Sequence, residues 1–119
     1  MAESDSDLLR DAMQQADAWY TCRIGFVETF RAVGLVAGRS ATDALLEEWP
    51  AFGVVEVDQE LAERAANLAL EHDLRSLDAL HLAAGLLLPF EELQLATWDR
   101  RLHAAARASG LPVVPGALI

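Results

Sequence analysis

The positions of apolar side chains along the chain predict helices that alternate with short strands. Apolar residues recur at the three- and four-residue spacing that is typical of helices with a buried face. The predicted helices are Ser6–Ala16, Arg23–Ala37, Ala41–Glu48, Gln59–Asp73, a helix from Ser76 to about Leu88, and Arg100–Ser109. Short β-prone runs predict strands at Trp19–Cys22, Val54–Val57, Leu93–Thr97 and Val113–Val114. Strands separated by helices, without hairpin signals, indicate an α/β fold with a parallel sheet.

The stretch Leu74–Leu88 is apolar nearly all round, and a helix of that kind belongs in the interior of a fold. Ser76 is predicted to cap its first turn by accepting hydrogen bonds from N–H groups that lack helical partners. Asp78 lies just inside that start, where a carboxylate is costly to bury unless something compensates it. Asp78 therefore either complements the positive end of the helix dipole or belongs to a functional site. The helix Arg23–Ala37 is also expected to be largely buried.

Several polar residues have both a structural and a functional interpretation. Thr21, Asp58 and Asp99 stand where N-caps of the following helices are expected. Glu28 interrupts an apolar helix, where it pairs with Arg31 three residues on, is exposed to solvent on the Ala32 side, or faces a site.

Two further side chains have similar alternatives. His81 lies one turn after Asp78, so the pair could ligate a metal, or His81 could be a hydrogen-bonded core histidine. The single cysteine, Cys22, excludes an internal disulfide and is expected to be a small buried hydrophobe.

Length and charge narrow the possible functions. The chain has 119 residues, 53% of them hydrophobic, which suits one folded domain spanning 1–119. Nineteen acidic and nine basic residues, all nine arginine, give a net charge of −10, which repels nucleic acid over most of the surface. A phosphodiester substrate would require a divalent metal and a few local arginines, whereas solubility or a basic protein partner would explain the charge alone. The acidic N-terminus and the short apolar runs predict a cytoplasmic protein without membrane association.

Three acidic residues from separate segments are predicted to meet at one edge of the sheet. Parallel sheets bind ligands outside the carboxyl ends of their strands. Asp99 follows one such end, Glu28 lies in the helix after the Thr21 region, and the helix that holds Asp78 could begin at the same edge. Clustered carboxylates repel one another unless a hard cation joins them, so Mg²⁺ or Mn²⁺ is the expected cofactor.

Sequence motifs around these acids resemble PIN-domain ribonucleases of the VapC toxin type. The resemblance covers essentially the whole chain, and its most specific part is Leu74–Ala83, which is similar to the third acidic motif of the family. Leu95–Leu102 is similar to the fourth motif, Gly110–Pro115 to the closing strand, and Thr21–Glu28 to the second motif. The resemblance implies a PIN-like three-layer fold and metal-dependent endoribonuclease activity on RNA, with Glu28, Asp78 and Asp99 as the metal-binding acidic cluster. It also implies a homodimer and neutralisation by a cognate antitoxin.

The chain departs from that family at its N-terminus. Family members begin with a central strand that ends in their first metal-binding aspartate, but nothing before Trp19 reads as a strand. The chain is therefore expected to lack the family's N-terminal segment and one metal ligand. Its sheet would then close up, receive a strand from a partner chain, or be poorly stable, because neighbouring strands would carry unpaired backbone groups.

Three hypotheses follow. In the first, the acidic cluster and its metal activate water for RNA hydrolysis, and Thr97, with Thr21 as a weaker candidate, orients the carboxylates or the phosphate. Arg23, Arg75 and Arg100 are then candidate phosphate contacts, with surface ion pairing as their alternative. In the second, the chain is a catalytically inactive PIN-like module that binds an antitoxin or another protomer. In the third, it is a structural α/β domain whose acids are only caps.

Overall fold

The computed structural model describes residues 11–12, 14–16, 18–88, 93–97, 99–114 and 116. Within them the elements are β1 (Trp19–Cys22), α1 (Arg23–Ala37), α2 (Arg39–Glu48), a 3₁₀ turn (Trp49–Ala51), β2 (Phe52–Val55), α3 (Gln59–His72), α4 (Ser76–Leu87), β3 (Leu95–Ala96), α5 (Arg100–Ala108) and β4 (Val113–Val114). Residues 11, 12, 14 and 15 are also helical, as predicted, and the rest of the helix predicted at Ser6–Ala16 lies outside the described residues, apart from Ala16. The order of elements confirms the predicted α/β fold.

Two strands differ from their predicted bounds. The second strand begins and ends two residues earlier than predicted, because Trp49 and Pro50 form a 3₁₀ turn that leads directly into Phe52. The third is only Leu95–Ala96 rather than Leu93–Thr97.

The described strands form two separate parallel pairs rather than one sheet. β1 pairs with β2, with Trp19 opposite Phe52 and Cys22 opposite Val55. β3 pairs with β4, with Leu95 opposite Val113.

Helix α4 lies at the centre of the core, as its all-round apolar sequence predicted. Leu82 on this helix has an exposed fraction of 0%, and the helix packs most extensively against α3. The buried cluster around it consists of Leu61, Ala65, Leu74, Ala79, Leu82, Ala83, Leu102, Ala105, Ala106 and Leu111. Because five of these ten residues are alanine, neighbouring helices approach α4 closely.

The prediction that α1 is largely buried is wrong. Only Gly25 of this helix is buried, whereas Val27 is 61% and Val36 89% exposed. The helix is held on one side by the ring of Phe26, whose centroid lies 4.7 Å from that of Trp49. Its apolar residues on the other side contact nothing that buries them within the described part of the chain.

Two of the four predicted caps are confirmed. Asp58 and Asp99 each accept a hydrogen bond 2.8 Å long from the backbone N–H three residues on. The predictions for Thr21 and Ser76 are wrong, because the preceding or following residue takes the cap position. Thr21 is still in β1 and its hydroxyl donates to the Cys22 carbonyl at 3.4 Å, while Ser76 is already the first residue of α4.

In the part of the chain that the structure describes, every helix is too short or too polar to cross a membrane.

Candidate active site

A cavity of about 1450 Å³ lies between the two strand pairs, and all the predicted site residues line it. Glu28, Asp78, Asp99 and Thr97 reach it from α1, α4 and the segment after β3. These four residues therefore line one cavity, and that the three acids meet closely enough to share a cation stays a prediction.

Asp99 uses its two carboxylate oxygens for different contacts. Its Oδ1 accepts from the Leu102 N–H and caps α5. Its Oδ2 lies 3.6 Å from Nη2 of Arg75. The Thr97 hydroxyl oxygen accepts from the Asp99 N–H at 3.0 Å, so Thr97 fixes the backbone that carries the carboxylate. The alternative role of Asp99 as a cap and its place in the cavity therefore coexist.

Asp78 shares the same arginine. Nε of Arg75 donates to Oδ2 of Asp78 at 3.3 Å, and only 18% of the Asp78 side chain is exposed. One guanidinium thus links two carboxylates from different elements. Because 80% of the Arg75 side chain is exposed, solvent screens both ion pairs and each contributes little to stability.

Glu28 lines the cavity but stands apart from that pair. Among the described residues it makes no ion pair with Arg31, but its side chain is exposed, so the second structural alternative, solvent exposure, still stands beside the functional one. Across the ranges that the structure covers, no three His, Cys, Asp or Glu side chains come within reach of one metal ion. That Glu28, Asp78 and Asp99 share a cation therefore stays a prediction.

His81 contacts the cysteine at the end of β1. Its Nδ1 lies 3.5 Å from Sγ of Cys22, which favours the hydrogen-bonded core histidine over the metal pair with Asp78. The contact requires Gly25, because a Cβ there would collide with the Thr21 hydroxyl and lie 3.1 Å from Cε1 of His81. Glycine thus lets α1 approach α4 beside the cavity.

This thiol–imidazole pair changes the pKa of both groups. The Cys22 hydrogen bond raises the pKa of His81 against the opposing effect of burial, and the charges of Cys22, Glu28 and Asp78 add to the rise. Burial alone would raise the pKa of Cys22, but the hydrogen bond and the charge of His81, with the backbone N–H groups at the start of α1, hold it below its ordinary value. The predicted burial of Cys22 is confirmed.

Arginines collect on the other side of the Asp78–Asp99 pair. A cleft of about 480 Å³ is lined by these two acids with Arg75, Arg100 and Arg101. Arg101 also pairs with Asp73, Nη1 to Oδ2, at 3.1 Å. Arg23, another candidate phosphate contact, pairs with Glu56, so its alternative role as a surface ion pair is met.

Two features of the site were not predicted from the sequence. The Arg75 bridge joins residues 24 positions apart, and the Cys22–His81 contact joins residues 59 positions apart. The proximity of Arg75 to Asp78 along α4 was a usable signal, since residues three apart face each other on a helix. No local signal connects Cys22 to His81.

Comparison with known proteins gives a consistent family. The PIN domain family matches residues 2–112. Ribonuclease VapC49 of Mycobacterium tuberculosis is 33% identical over 125 residues, covering 98% of this chain and 87% of the relative. Ribonuclease VapC46 of the same species is 31% identical and covers 94% of this chain and 85% of the relative. A solved chain of a toxin–antitoxin complex from Klebsiella pneumoniae superimposes with a TM-score of 0.60 at 27% identity, over 92% of this chain and 87% of that one.

Proposed function

The chain belongs to the PIN-domain family and is a VapC-type toxin by relationship, and we propose that it is a metal-dependent endoribonuclease of a toxin–antitoxin system. The observation that carries the proposal is the Arg75 bridge. The carboxylates of Asp78 and Asp99 come from separate elements, and both pair with the positively charged guanidinium of Arg75 at the wall of the cavity.

The donor set suits Mg²⁺ or Mn²⁺. Carboxylate oxygens are the ligands that these hard cations prefer, and Mg²⁺ is usually held by one or two carboxylates with several waters retained. Asp78 and Asp99 would provide those carboxylates, and Glu28 would add a third from the facing wall of the cavity. A divalent cation there would supply an activated water and positive charge for the phosphate.

The remaining residues have supporting roles in the proposal. Thr97 holds the Asp99 backbone, and the α5 cap fixes Oδ1, so that Oδ2 is the oxygen left for a cation. Arg75 releases the carboxylates when a divalent cation binds, because its exposed ion pairs are weak. It then faces the cleft that Arg100 and Arg101 also line, where it contacts an RNA phosphate.

Helix α1 exposes apolar side chains at which the proposed partners would bind. They include Val27, Leu35 and Val36, of which Val36 is 89% exposed. Exposed apolar surface is typical of protein interaction sites. A cognate antitoxin and a second copy of the chain are the proposed occupants, in the cytoplasm, and the acidic surface suits a basic antitoxin segment.

The nuclease proposal is tested by RNA cleavage with and without Mn²⁺, on the wild type and on Asp78→Asn. Wild-type cleavage is expected to require the metal, and Asp78→Asn is expected to lower it by at least about tenfold, since a metal ligand is lost. Asp73→Asn is the matched control. It makes the same charge change outside the cavity, at a residue with φ of 53°, a conformation that asparagine tolerates.

A second candidate is an inactive PIN-like module that only binds protein partners. It is favoured by the observation that the described residues hold no three-ligand group for a metal. Calorimetric titration with Mn²⁺ separates the two. Equal, negligible heats from the wild type and from Asp78→Asn would leave only the binding module.

A further inference from the structure

The guanidinium of Arg75 lies between the starts of two helices. Arg75 immediately precedes α4, and it reaches Asp78 in the first turn of that helix and Asp99 at the cap of α5. Its Nε lies 3.3 Å from Oδ2 of Asp78, and its Nη2 lies 3.6 Å from Oδ2 of Asp99. Two nitrogens of one planar group thus contact two carboxylates at once, which the rigid fork of donors on arginine favours over the single ammonium of lysine.

Arg75 contacts the oxygen of Asp99 that the proposed metal would need. Oδ1 of Asp99 accepts from the Leu102 N–H, so Oδ2 is the oxygen that faces a cation. A guanidinium and a divalent cation repel each other strongly when both lie within contact distance of the same oxygens. Arg75 and the proposed metal therefore compete for one position.

The exposure of the three side chains shows which of them can leave that position. Asp78 is 18% and Asp99 37% exposed, and Asp99 is also fixed by its hydrogen bond to α5. The Arg75 side chain is 80% exposed, so its guanidinium moves into solvent without breaking a buried contact. Arg75 is therefore the member of the group that is displaced when another cation binds the two acids.

A displaced Arg75 adds positive charge to a cleft that already contains it. Arg75, Arg100 and Arg101 line the cleft of about 480 Å³ beside the two acids. A guanidinium binds phosphate through two parallel hydrogen bonds, and it does so less well while its charge is neutralised by carboxylates. The affinity of the cleft for phosphate therefore depends on whether Arg75 is paired with the acids.

We propose that Arg75 couples metal binding to nucleic-acid binding: it neutralises Asp78 and Asp99 in the absence of metal, and it binds a phosphate once the acids hold the metal. The inference rests on the proposed function, because it requires that the two acids bind a divalent cation. Coupling between two ligands is reciprocal, so each should tighten the binding of the other by the same factor. Because the Arg75 ion pairs are exposed, we expect Arg75 to contribute about threefold to tenfold to that factor.

The test measures how strongly Mn²⁺ changes the affinity for nucleic acid. A short fluorescein-labelled single-stranded DNA oligonucleotide, shown by gel electrophoresis to stay intact, is titrated with the full chain and followed by fluorescence anisotropy. The Kd without Mn²⁺ divided by the Kd with saturating Mn²⁺ is the coupling factor. In Arg75→Gln this factor is expected to fall by at least about threefold. Any effect of Mn²⁺ on the DNA alone is the same for both proteins and cancels in the comparison.

Two other arginine variants serve as controls. Arg64→Gln removes the same charge from an exposed helical ion pair with Glu60, outside the cleft, and should leave the coupling factor unchanged. Arg101 lines the cleft, but its ion pair within the described residues is with Asp73, so Arg101→Gln should weaken DNA binding about equally with and without Mn²⁺. A wild-type coupling factor in Arg75→Gln overturns the inference and leaves the nuclease proposal standing.

Calorimetry separates a failure of this inference from a failure of the proposed function. Without nucleic acid, Mn²⁺ should bind Arg75→Gln about twofold to fivefold more tightly than the wild type, because a competing cation is gone. Equal or looser binding overturns the competition but keeps the metal site, whereas no Mn²⁺ binding by either protein overturns both. Should Arg75→Gln not fold, as judged by circular dichroism, the NMR signal of the Arg75 Nε–H group in the wild type takes its place. Mg²⁺ at saturation should shift that signal, and an unshifted signal overturns the inference.

Discussion

The two carboxylate oxygens of Asp99 have different partners, so two substitutions can separate its structural role from its chemical one. Oδ1 caps α5 and Oδ2 faces Arg75. Asp99→Asn keeps an oxygen for the Leu102 N–H but removes the negative charge. Asp99→Ala removes the oxygen that caps α5 and the negative charge as well. We expect the two variants to lose metal binding and RNA cleavage equally, and to differ in stability.

The magnitude of the stability difference follows from the cap. Loss of an N-cap acceptor costs ~1 kcal/mol. For 119 residues, an unfolding entropy of ~2.1 cal/mol/K per residue gives ~0.25 kcal/mol/K, so loss of the cap alone lowers Tm by ~4 °C. Asp99→Ala also loses the exposed ion pair with Arg75, worth ~0.2–1 kcal/mol, and is expected to lower Tm by ~5–8 °C. Asp99→Asn loses only the exposed pair with Arg75, worth ~0.2–1 kcal/mol, and its Tm should fall by no more than ~4 °C and typically by ~2 °C. Mn²⁺ affinity should fall by at least about tenfold in both.

Asp58 provides the control, because it caps α3 through the same 2.8 Å hydrogen bond and lines neither cavity nor cleft. Asp58→Ala should lower Tm by the ~4 °C expected for loss of a cap alone and leave Mn²⁺ binding unchanged. Thermal melts followed by circular dichroism and Mn²⁺ titration calorimetry measure the two quantities. Wild-type metal affinity and cleavage in a folded Asp99→Asn would show that Asp99 is only a cap, and the reasoning from its second oxygen would be refuted.

Three further substitutions test separate parts of the molecule. Gly25→Ala should destabilise the chain by ~1–3 kcal/mol, because its methyl group collides with the Thr21 hydroxyl and crowds His81, and urea denaturation measures the loss. Arg75→Gln should tighten Mn²⁺ binding about twofold to fivefold by removing a competing cation, yet weaken RNA binding; looser Mn²⁺ binding in calorimetry would contradict this role. The pKa of His81 is raised in the folded state, so its stabilisation is complete below the ordinary histidine pKa of ~6.5 and is lost as pH rises through the folded-state pKa. His81→Gln should abolish that decline of Tm with pH, and a wild-type decline in the variant would assign it to another group.

Local rules predicted local structure, and contacts between distant segments decided the rest. Asp58 and Asp99 were predictable caps because an aspartate before an apolar-periodic run needs only its own helix to be satisfied. Thr21 and Ser76 obeyed the same rule and failed, because the N-cap positions are taken by Cys22 and Arg75, one residue away in each case. The burial of α1 could not be predicted from its apolar residues, since their number does not say which surface covers them.

The candidate site shows the same division between what a sequence can and cannot indicate. Glu28, Asp78 and Asp99 line one cavity, as their positions after the strands of a parallel sheet suggest, but that they converge on one cation stays a prediction. The Arg75 bridge was not predictable, since it depends on how the start of α4 meets the start of α5.

That bridge bears on how an acidic protein could approach RNA. With a net charge of −10, most of the surface repels a phosphate backbone, yet three of the nine arginines line the cleft beside Asp78 and Asp99. The described lining of the large cavity includes three acids and no arginine, so the proposed RNA substrate would meet positive charge only on the cleft side of the two carboxylates. If the proposed function holds, the nucleic acid therefore approaches Asp78 and Asp99 from the arginine side, and Arg75 is the first of the three arginines whose loss should weaken RNA binding.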